Sequence, residues 1–135
     1  MKKRLLLIDD DVALTDVTKV ILEDTGAYVV EVENFARYAV ETARNFQPDL
    51  ILLDYLMPEI DGGDMSGLFK ADPQLCDIPI IVITALVSNK DMERGPLLRG
   101  DLLFIAKPIR FELLLEIIEQ QLRAAAAKKK KPPER

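Results

Sequence analysis

The chain has 135 residues, 49% hydrophobic and 30% charged, a balance typical of one globular domain and not of a disordered chain. It contains no histidine and a single cysteine, Cys76, which excludes histidine acid–base chemistry, an internal disulfide and a cysteine-based zinc site. The net charge is −10 over residues 1–122 and +5 over residues 123–135, and an acidic body argues against nucleic-acid binding because phosphates are bound by Lys and Arg.

Five short apolar runs alternate with segments that carry helix signals. The runs predict strands at 5–8, 28–32, 50–53, 80–83 and 102–106, and the more polar second strand is expected at a sheet edge. Asp11 is predicted to cap a first helix that stops at Gly26. The buried stripe of that helix is predicted to include Leu14, Val17 and Ile21.

The later helices are less regular. Asn34 is predicted to cap a second helix with Phe35, Ala39, Val40 and Ala43 on its buried side. A turn at 61–63 leads into a short helix over 65–70. Residues 88–99 should be helical, but Gly95-Pro96 should break or reset that helix, because proline in a helix interior costs about 3 kcal/mol.

A last helix is predicted from about Arg110, with Leu114, Leu115, Ile118 and Leu122 on its buried stripe. Five strands with helical crossovers predict a doubly wound (βα)5 α/β fold with a parallel sheet. We expect residues 1–123 to form the domain, and residues 124–135 to be a helix extension followed by a basic Lys/Pro tail or linker.

Polar residues follow four of the predicted strands: Asp9 and Asp10, Asp54, Thr84 and Lys107. In an open α/β sheet the carboxyl ends of neighbouring strands face one crevice. Clustered carboxylates repel one another and favour a bound cation, and a few oxygen ligands with room for water favour Mg²⁺ over Ca²⁺. A metal beside a carboxylate and a lysine suits phosphoryl transfer, in which the carboxylate forms an acyl phosphate.

These motifs resemble the receiver domain of bacterial two-component response regulators, of the single-domain type similar to the chemotaxis regulator. The matching segments are IDDD at the first strand end, LLDYLMPEIDG around Asp54, TA at Thr84 and KP at Lys107. The resemblance covers about residues 3–122 and implies a flavodoxin-like fold with the strand order 2-1-3-4-5. It also implies a cytoplasmic phosphoprotein of phosphorelay signal transduction.

The resemblance implies a role for each residue of the acceptor site. Asp54 would take a phosphoryl group from a phosphohistidine on a histidine kinase or histidine phosphotransferase. Asp10 and Asp54 would bind Mg²⁺ directly, with Asp9 acting through water and the main-chain carbonyl of Leu56 as a further ligand. Lys107 would pair with the phosphoryl oxygens. The domain would catalyse only its own phosphorylation and dephosphorylation, and is otherwise not an enzyme.

The resemblance also implies a switch. Thr84 would hydrogen-bond to the phosphoryl group and move toward it while Phe104 turns inward, changing a surface that contacts a downstream protein target. The Lys107-Pro108 peptide bond would be cis, which an X-Pro bond permits at low cost.

Two departures from the family pattern bear on signalling. Leu56 and Leu86 are apolar at the positions two residues after Asp54 and Thr84, where the family influences attack by water, so we expect slow self-dephosphorylation. Gly95-Pro96 interrupts the helix that normally contributes to the output face, which leaves dimerisation through that face open.

Other functions are also considered. A phosphatase of the haloacid-dehalogenase type needs a second Asp two residues after its nucleophile, where this chain has Leu56. A degenerate receiver that serves as a constitutive interaction module stays an alternative. Nucleotide binding has no support, because the sequence contains neither a P-loop nor a glycine-rich fingerprint.

No output module fits in residues 124–135, so the chain is either a single-domain regulator or a receiver cut from a longer protein. No apolar run is long enough for a membrane span or a signal-peptide core.

Overall fold

The computed structural model of this protein describes residues 1–92, 95–99 and 102–130. In chain order the elements are β1 (Lys3–Ile8), α1 (Val12–Asp24), β2 (Tyr28–Glu33), a 3₁₀ turn (Ala36–Tyr38), α2 (Ala39–Phe46), β3 (Leu50–Asp54), α3 (Gly62–Ala71), β4 (Ile80–Thr84), β5 (Leu97–Arg99), β6 (Leu102–Ala106) and α4 (Phe111–Lys130). In this part of the chain no helix is both long and apolar enough to cross a membrane.

The strands form one sheet in the order β2-β1-β3-β4-β6-β5. The first five strands in that order pair in parallel, which confirms the predicted doubly wound arrangement with β2 at an edge. At the opposite edge β5 pairs antiparallel with β6, with Leu97 opposite Phe104 and Arg99 opposite Leu102. Among the described residues the sheet therefore has one strand more than predicted.

The segment between β4 and β6 departs most from the predicted fold. The expected helix over 88–99 does not form among its described residues: the Ser88 and Asp91 side chains cap one turn reciprocally, at 2.9 and 3.1 Å. Gly95 then has φ +108°, a left-handed conformation that glycine tolerates, and the chain returns as β5 after Pro96. Part of the expected helix, Glu93 and Arg94, lies outside the described residues.

Two buried clusters cover the two faces of the sheet, because successive strand residues point to opposite sides. Leu5 and Leu7 of β1 belong to the cluster that includes Leu22 of α1 and Leu114 of α4. The other cluster contains Leu6 and Ile8 of β1 with Ala39 and Ala43 of α2 and Met65 and Phe69 of α3. Because five of the strands run parallel, their carboxyl ends lie at the same end of the sheet, between the helices that cover its two faces.

The α1 prediction was right about the cap and wrong about one face. The Asp11 side chain accepts a hydrogen bond from the Leu14 N–H at 3.1 Å, as a cap should. Val17, however, is exposed, and the buried residues of α1 are Thr15, Thr18 and Leu22. The helix is therefore rotated relative to the predicted stripe, and two hydroxyls face the protein interior.

The predicted cap at Asn34 was also wrong. β2 continues to Glu33, and Phe35, which is exposed, occupies the N-cap position of the 3₁₀ turn that precedes α2. No side chain caps that turn or the start of α2. Glu33 instead holds the connection, because its carboxylate accepts hydrogen bonds from the Phe35 N–H at 3.0 Å and the Thr42 hydroxyl at 2.6 Å.

Candidate functional site

The predicted site residues converge where four parallel strands end. Asp54 is the last residue of β3, Thr84 is the last of β4, and Asp9 and Asp10 follow β1 directly. Asp9 and Asp54 are buried, with only 4% and 6% of their surface exposed, whereas Asp10 is exposed. One carboxylate oxygen from each of the three acids lies within 4.8 Å of the others.

Lys107 places an ammonium group between two of these carboxylates. Its Nζ lies 3.1 Å from Asp9 Oδ2 and 3.2 Å from Asp54 Oδ1. The backbone fixes its position, because the Lys107 N–H donates to the Thr84 carbonyl at 2.9 Å. The following bond to Pro108 is cis, as the resemblance implied.

The buried charges shift the proton affinity of both partners. Burial, followed by the charge of Asp9, raises the pKa of Asp54 from 3.8 to about 6, although the charge and hydrogen bond of Lys107 and the backbone N–H of Leu56 act in the opposite direction. Burial lowers the pKa of Lys107, but its contacts with Asp9 and Asp54 outweigh that effect and leave the pKa raised. The pocket therefore favours the protonated form of Lys107, and it disfavours the charged form of Asp54 beside the charge of Asp9.

The donor set fits a small divalent cation. Three carboxylates with one ammonium leave two uncompensated negative charges, and the donors that converge are all oxygen, the type that Mg²⁺ binds in proteins. Asp9, Asp10 and Asp54 are thus the residues that could hold the ion, and the exposed Asp10 is on the side that water can reach.

Two exposed leucine side chains each follow a residue of the pocket by two positions in the sequence. Leu56 is 54% exposed and Leu86 is 63% exposed. The Leu86 N–H donates to the Thr84 hydroxyl at 3.0 Å, so that Thr84 Oγ1 is engaged by its own loop. Neither leucine offers a polar atom on its side chain with which to orient a water molecule.

The loop after Asp54 is held by a close backbone approach. The Asp61 side chain caps α3 by accepting from the Asp64 N–H at 2.8 Å, and the Gly62 N–H donates to the Tyr55 carbonyl at 2.7 Å. A Cβ on Gly62 would lie 2.9 Å from the Tyr55 Cα, which only glycine avoids. Phe104 is half-buried beside this loop, with its ring centroid 6.0 Å from that of Tyr55.

The sequence did not indicate that Asn34 supports the chain at Asp9. The Asn34 carboxamide donates to the Asp9 carbonyl at 2.7 Å and to the Thr15 hydroxyl at 3.0 Å. Asn34 follows β2, the neighbour of β1, so the rule that identified the other strand-end residues could have identified it as well.

Comparison with known proteins gives a consistent result. The family model described as the response regulator receiver domain matches residues 5–119. The polar-differentiation response regulator DivK of Brucella anthropi is 31% identical over 124 residues, which cover 90% of this chain and 98% of that protein. The DNA-binding dual master transcriptional regulator RpaA of Synechocystis sp. is 34% identical over 121 residues, 89% of this chain and 49% of that protein. The chain thus spans about half the length of several curated relatives that it matches.

A solved structure shows the same fold. The signal receiver domain of a signal transduction histidine kinase from Syntrophus aciditrophicus superposes with a TM-score of 0.75 at 31% sequence identity. The match covers 98% of this chain and 97% of that one.

Proposed function

This chain belongs to the response regulator receiver domain family, and from that premise we propose that Asp54 is the residue that carries the phosphoryl group. Receiver domains are signalling domains of two-component systems that are phosphorylated on an aspartate, and they are not classical enzymes. The observation that carries the proposal is the position of Asp54, buried at the end of β3, 3.2 Å from the Lys107 ammonium and grouped with two further acids. Asp9 shares the burial, the contact with Lys107 and the acidic neighbours, so the choice of Asp54 rests on its place at the end of β3, within the segment LLDYLMPEIDG that resembles the acceptor motif of the family.

The chemistry follows from these positions. A carboxylate oxygen of Asp54 attacks the phosphorus of a partner phosphohistidine, the P–N bond breaks, and its electron pair returns to the partner's imidazole. Lys107 offsets the negative charge that the phosphoryl oxygens bring into the crevice. Asp9, Asp10, Asp54 and the main-chain carbonyl of Leu56 would hold Mg²⁺, which supplies positive charge beside the same oxygens.

The switch is proposed for the ends of β4 and β6. Thr84 Oγ1 accepts from the Leu86 N–H, and it would exchange this contact for the phosphoryl group. Phe104 is only half-buried, so its ring has not yet turned fully inward. The surface changed by this movement would contact a downstream protein target, with homodimerisation as one form of output.

The proposed receiver spans residues 1–123, with 124–135 as helix extension and tail or linker. Its partner is a histidine kinase or histidine phosphotransferase, and since phosphohistidine is made from ATP, we place the reaction in the cytoplasm. The domain would catalyse its own phosphorylation and dephosphorylation, the latter slowly because Leu56 and Leu86 cannot orient water.

The test is intact-mass measurement after incubation with acetyl phosphate and Mg²⁺. The parent and an Asp77→Asn control, which alters an exposed aspartate, should each gain one phosphoryl group. Asp54→Asn should gain none. An adduct on Asp54→Asn would refute the assignment, and the lack of any adduct on the parent would favour a constitutive interaction module.

A further inference from the structure

The Asn34 side chain forms hydrogen bonds with the backbone and a side chain next to the acidic crevice. It follows β2, and its Nδ2 donates both to the Asp9 carbonyl at 2.7 Å and to the Thr15 hydroxyl at 3.0 Å. The carbonyl can only accept, so the nitrogen of the carboxamide must face it. Thr15 is fully buried, and its hydroxyl donates a hydrogen bond to the Val12 carbonyl at 3.0 Å, so the orientation of this hydroxyl is fixed as well.

The bond acts on the peptide unit that joins two candidate metal ligands. The Asp9 carbonyl belongs to the planar peptide between Asp9 and Asp10, so holding its oxygen sets the direction in which the chain enters Asp10. The side chain of Asp9 is fixed separately, by the Asp11 N–H at 3.0 Å and by Lys107 Nζ at 3.1 Å. Asp10 is exposed, and the aim of its carboxylate depends on the backbone from which it projects.

We propose that Asn34 is a positioning residue for the cation site. Together with Thr15 it holds the Asp9–Asp10 peptide so that both carboxylates converge with Asp54 on one ion. The inference rests on the proposed function, because it assumes that Mg²⁺ binds there. A carboxamide is required: aspartate at position 34 would present only acceptors to the Asp9 carbonyl and add a charge to an acidic crevice, and alanine would leave the carbonyl without this donor.

A purely structural role for Asn34 makes a different prediction. In that case its loss would loosen the β2–α2 connection, and any comparable loss there would have the same effect on the site. Thr42 provides the matched control, because its hydroxyl donates to the Glu33 carboxylate at 2.6 Å within the same connection and, among the described residues, forms no hydrogen bond with Asp9 or Thr15. Thr42→Val should therefore lower the unfolding free energy without changing the affinity for Mg²⁺.

The experiment measures the dissociation constant for Mg²⁺ by NMR titration of the unphosphorylated protein, with urea unfolding of each variant. Asn34→Ala and Asn34→Leu, which both remove the donor without adding a charge, should weaken Mg²⁺ binding about tenfold, while Thr42→Val stays within about twofold of the parent. If Asn34→Ala does not fold, Asn34→Leu, of similar shape, and Thr15→Val, which removes the second partner of the amide, decide the question.

Two results would overturn the inference: unchanged affinity in the Asn34 variants, or an equal loss in Thr42→Val. If the parent binds Mg²⁺ and forms the Asp54 adduct while these variants bind normally, only the role of Asn34 fails. If the parent shows neither Mg²⁺ binding nor an adduct, the proposed function fails.

Discussion

Replacing Asp54 with asparagine should make the metal-free protein more stable at neutral pH. Burial and the charge of Asp9 raise the pKa of Asp54 from 3.8 to about 6, so the folded state binds this proton more tightly than the unfolded chain does. The stabilisation is fully present below about pH 4 and is lost as the pH rises through 6. Since a tenfold change in proton affinity equals about 1.4 kcal/mol, charging Asp54 lowers the unfolding free energy by about 3 kcal/mol.

Urea unfolding with a chelator present measures this effect. At about pH 7.5 Asp54→Asn should exceed the parent by about 2–3 kcal/mol, and the difference should shrink toward about pH 4 as the parent carboxyl becomes protonated. Mg²⁺ should narrow the difference at the higher pH, because the ion binds the parent site more tightly and stabilises its folded state.

Asp72→Asn is the control with the opposite sign. The pKa of Asp72 is lowered, first by the backbone N–H of Gln74 and further by Arg44, so its charged form stabilises the fold. Asp72→Asn should therefore be less stable than the parent at neutral pH, and the deficit should fade as the pH drops below about 4. If Asp54→Asn is no more stable than the parent without Mg²⁺, or if its gain in stability does not depend on pH, then the charge of Asp54 does not destabilise the folded protein.

Three further predictions concern neighbouring positions. Gly62→Ala should lower the unfolding free energy by about 1–3 kcal/mol, because the added Cβ would lie 2.9 Å from the Tyr55 backbone. Gly67→Ala, where a Cβ has nothing within 4 Å, should raise the unfolding free energy by about 0.5–1 kcal/mol. Equal urea midpoints for the two variants would contradict this prediction. Thr18→Val should stabilise by about 1 kcal/mol, because among the described residues the buried Thr18 hydroxyl has no partner, and Thr15→Val should destabilise by a similar amount in the same assay. Leu56→Asn should speed loss of the phosphoryl group about tenfold by orienting water, and an unchanged half-life by intact mass would refute this reading.

The sequence predicted which side chains meet in the acidic crevice, because their positions obey a rule of topology. Once parallel strands are assigned, the residues at their carboxyl ends must lie near one another, and Asp54, Asp9 and Lys107 do so. Asn34 was misjudged because capping is a local pattern, whereas its partners lie 25 and 19 residues away in the chain. The buried face of α1 was predicted wrongly for a related reason. Thr15 and Thr18 are polar residues that the sequence would leave in solvent, and only the packing of the helix shows that they face the interior.

The segment after β4 could be predicted only in part. Gly95-Pro96 correctly indicated that a helix could not continue, but it did not indicate what would replace it. The outcome depends on pairing between Leu97 and Phe104, a contact between two segments that have no distinctive local signal. Such a short edge strand is stabilised by its neighbour and not by its own composition.

The pairing of β5 with β6 determines how a change at the pocket can reach the periphery of the molecule. The Met92 sulfur accepts a hydrogen bond from the Ala106 N–H at 2.9 Å, and Leu97 is paired with Phe104, so two points of the β4–β6 connection are tied to β6, the strand that directly precedes Lys107. A displacement of β6 must therefore carry the outer strand with it or break these contacts. The outer strand β5 is thereby mechanically linked to the acidic crevice, and hydrogen exchange at the amides of β5 should change when an ion or a phosphoryl group occupies the crevice.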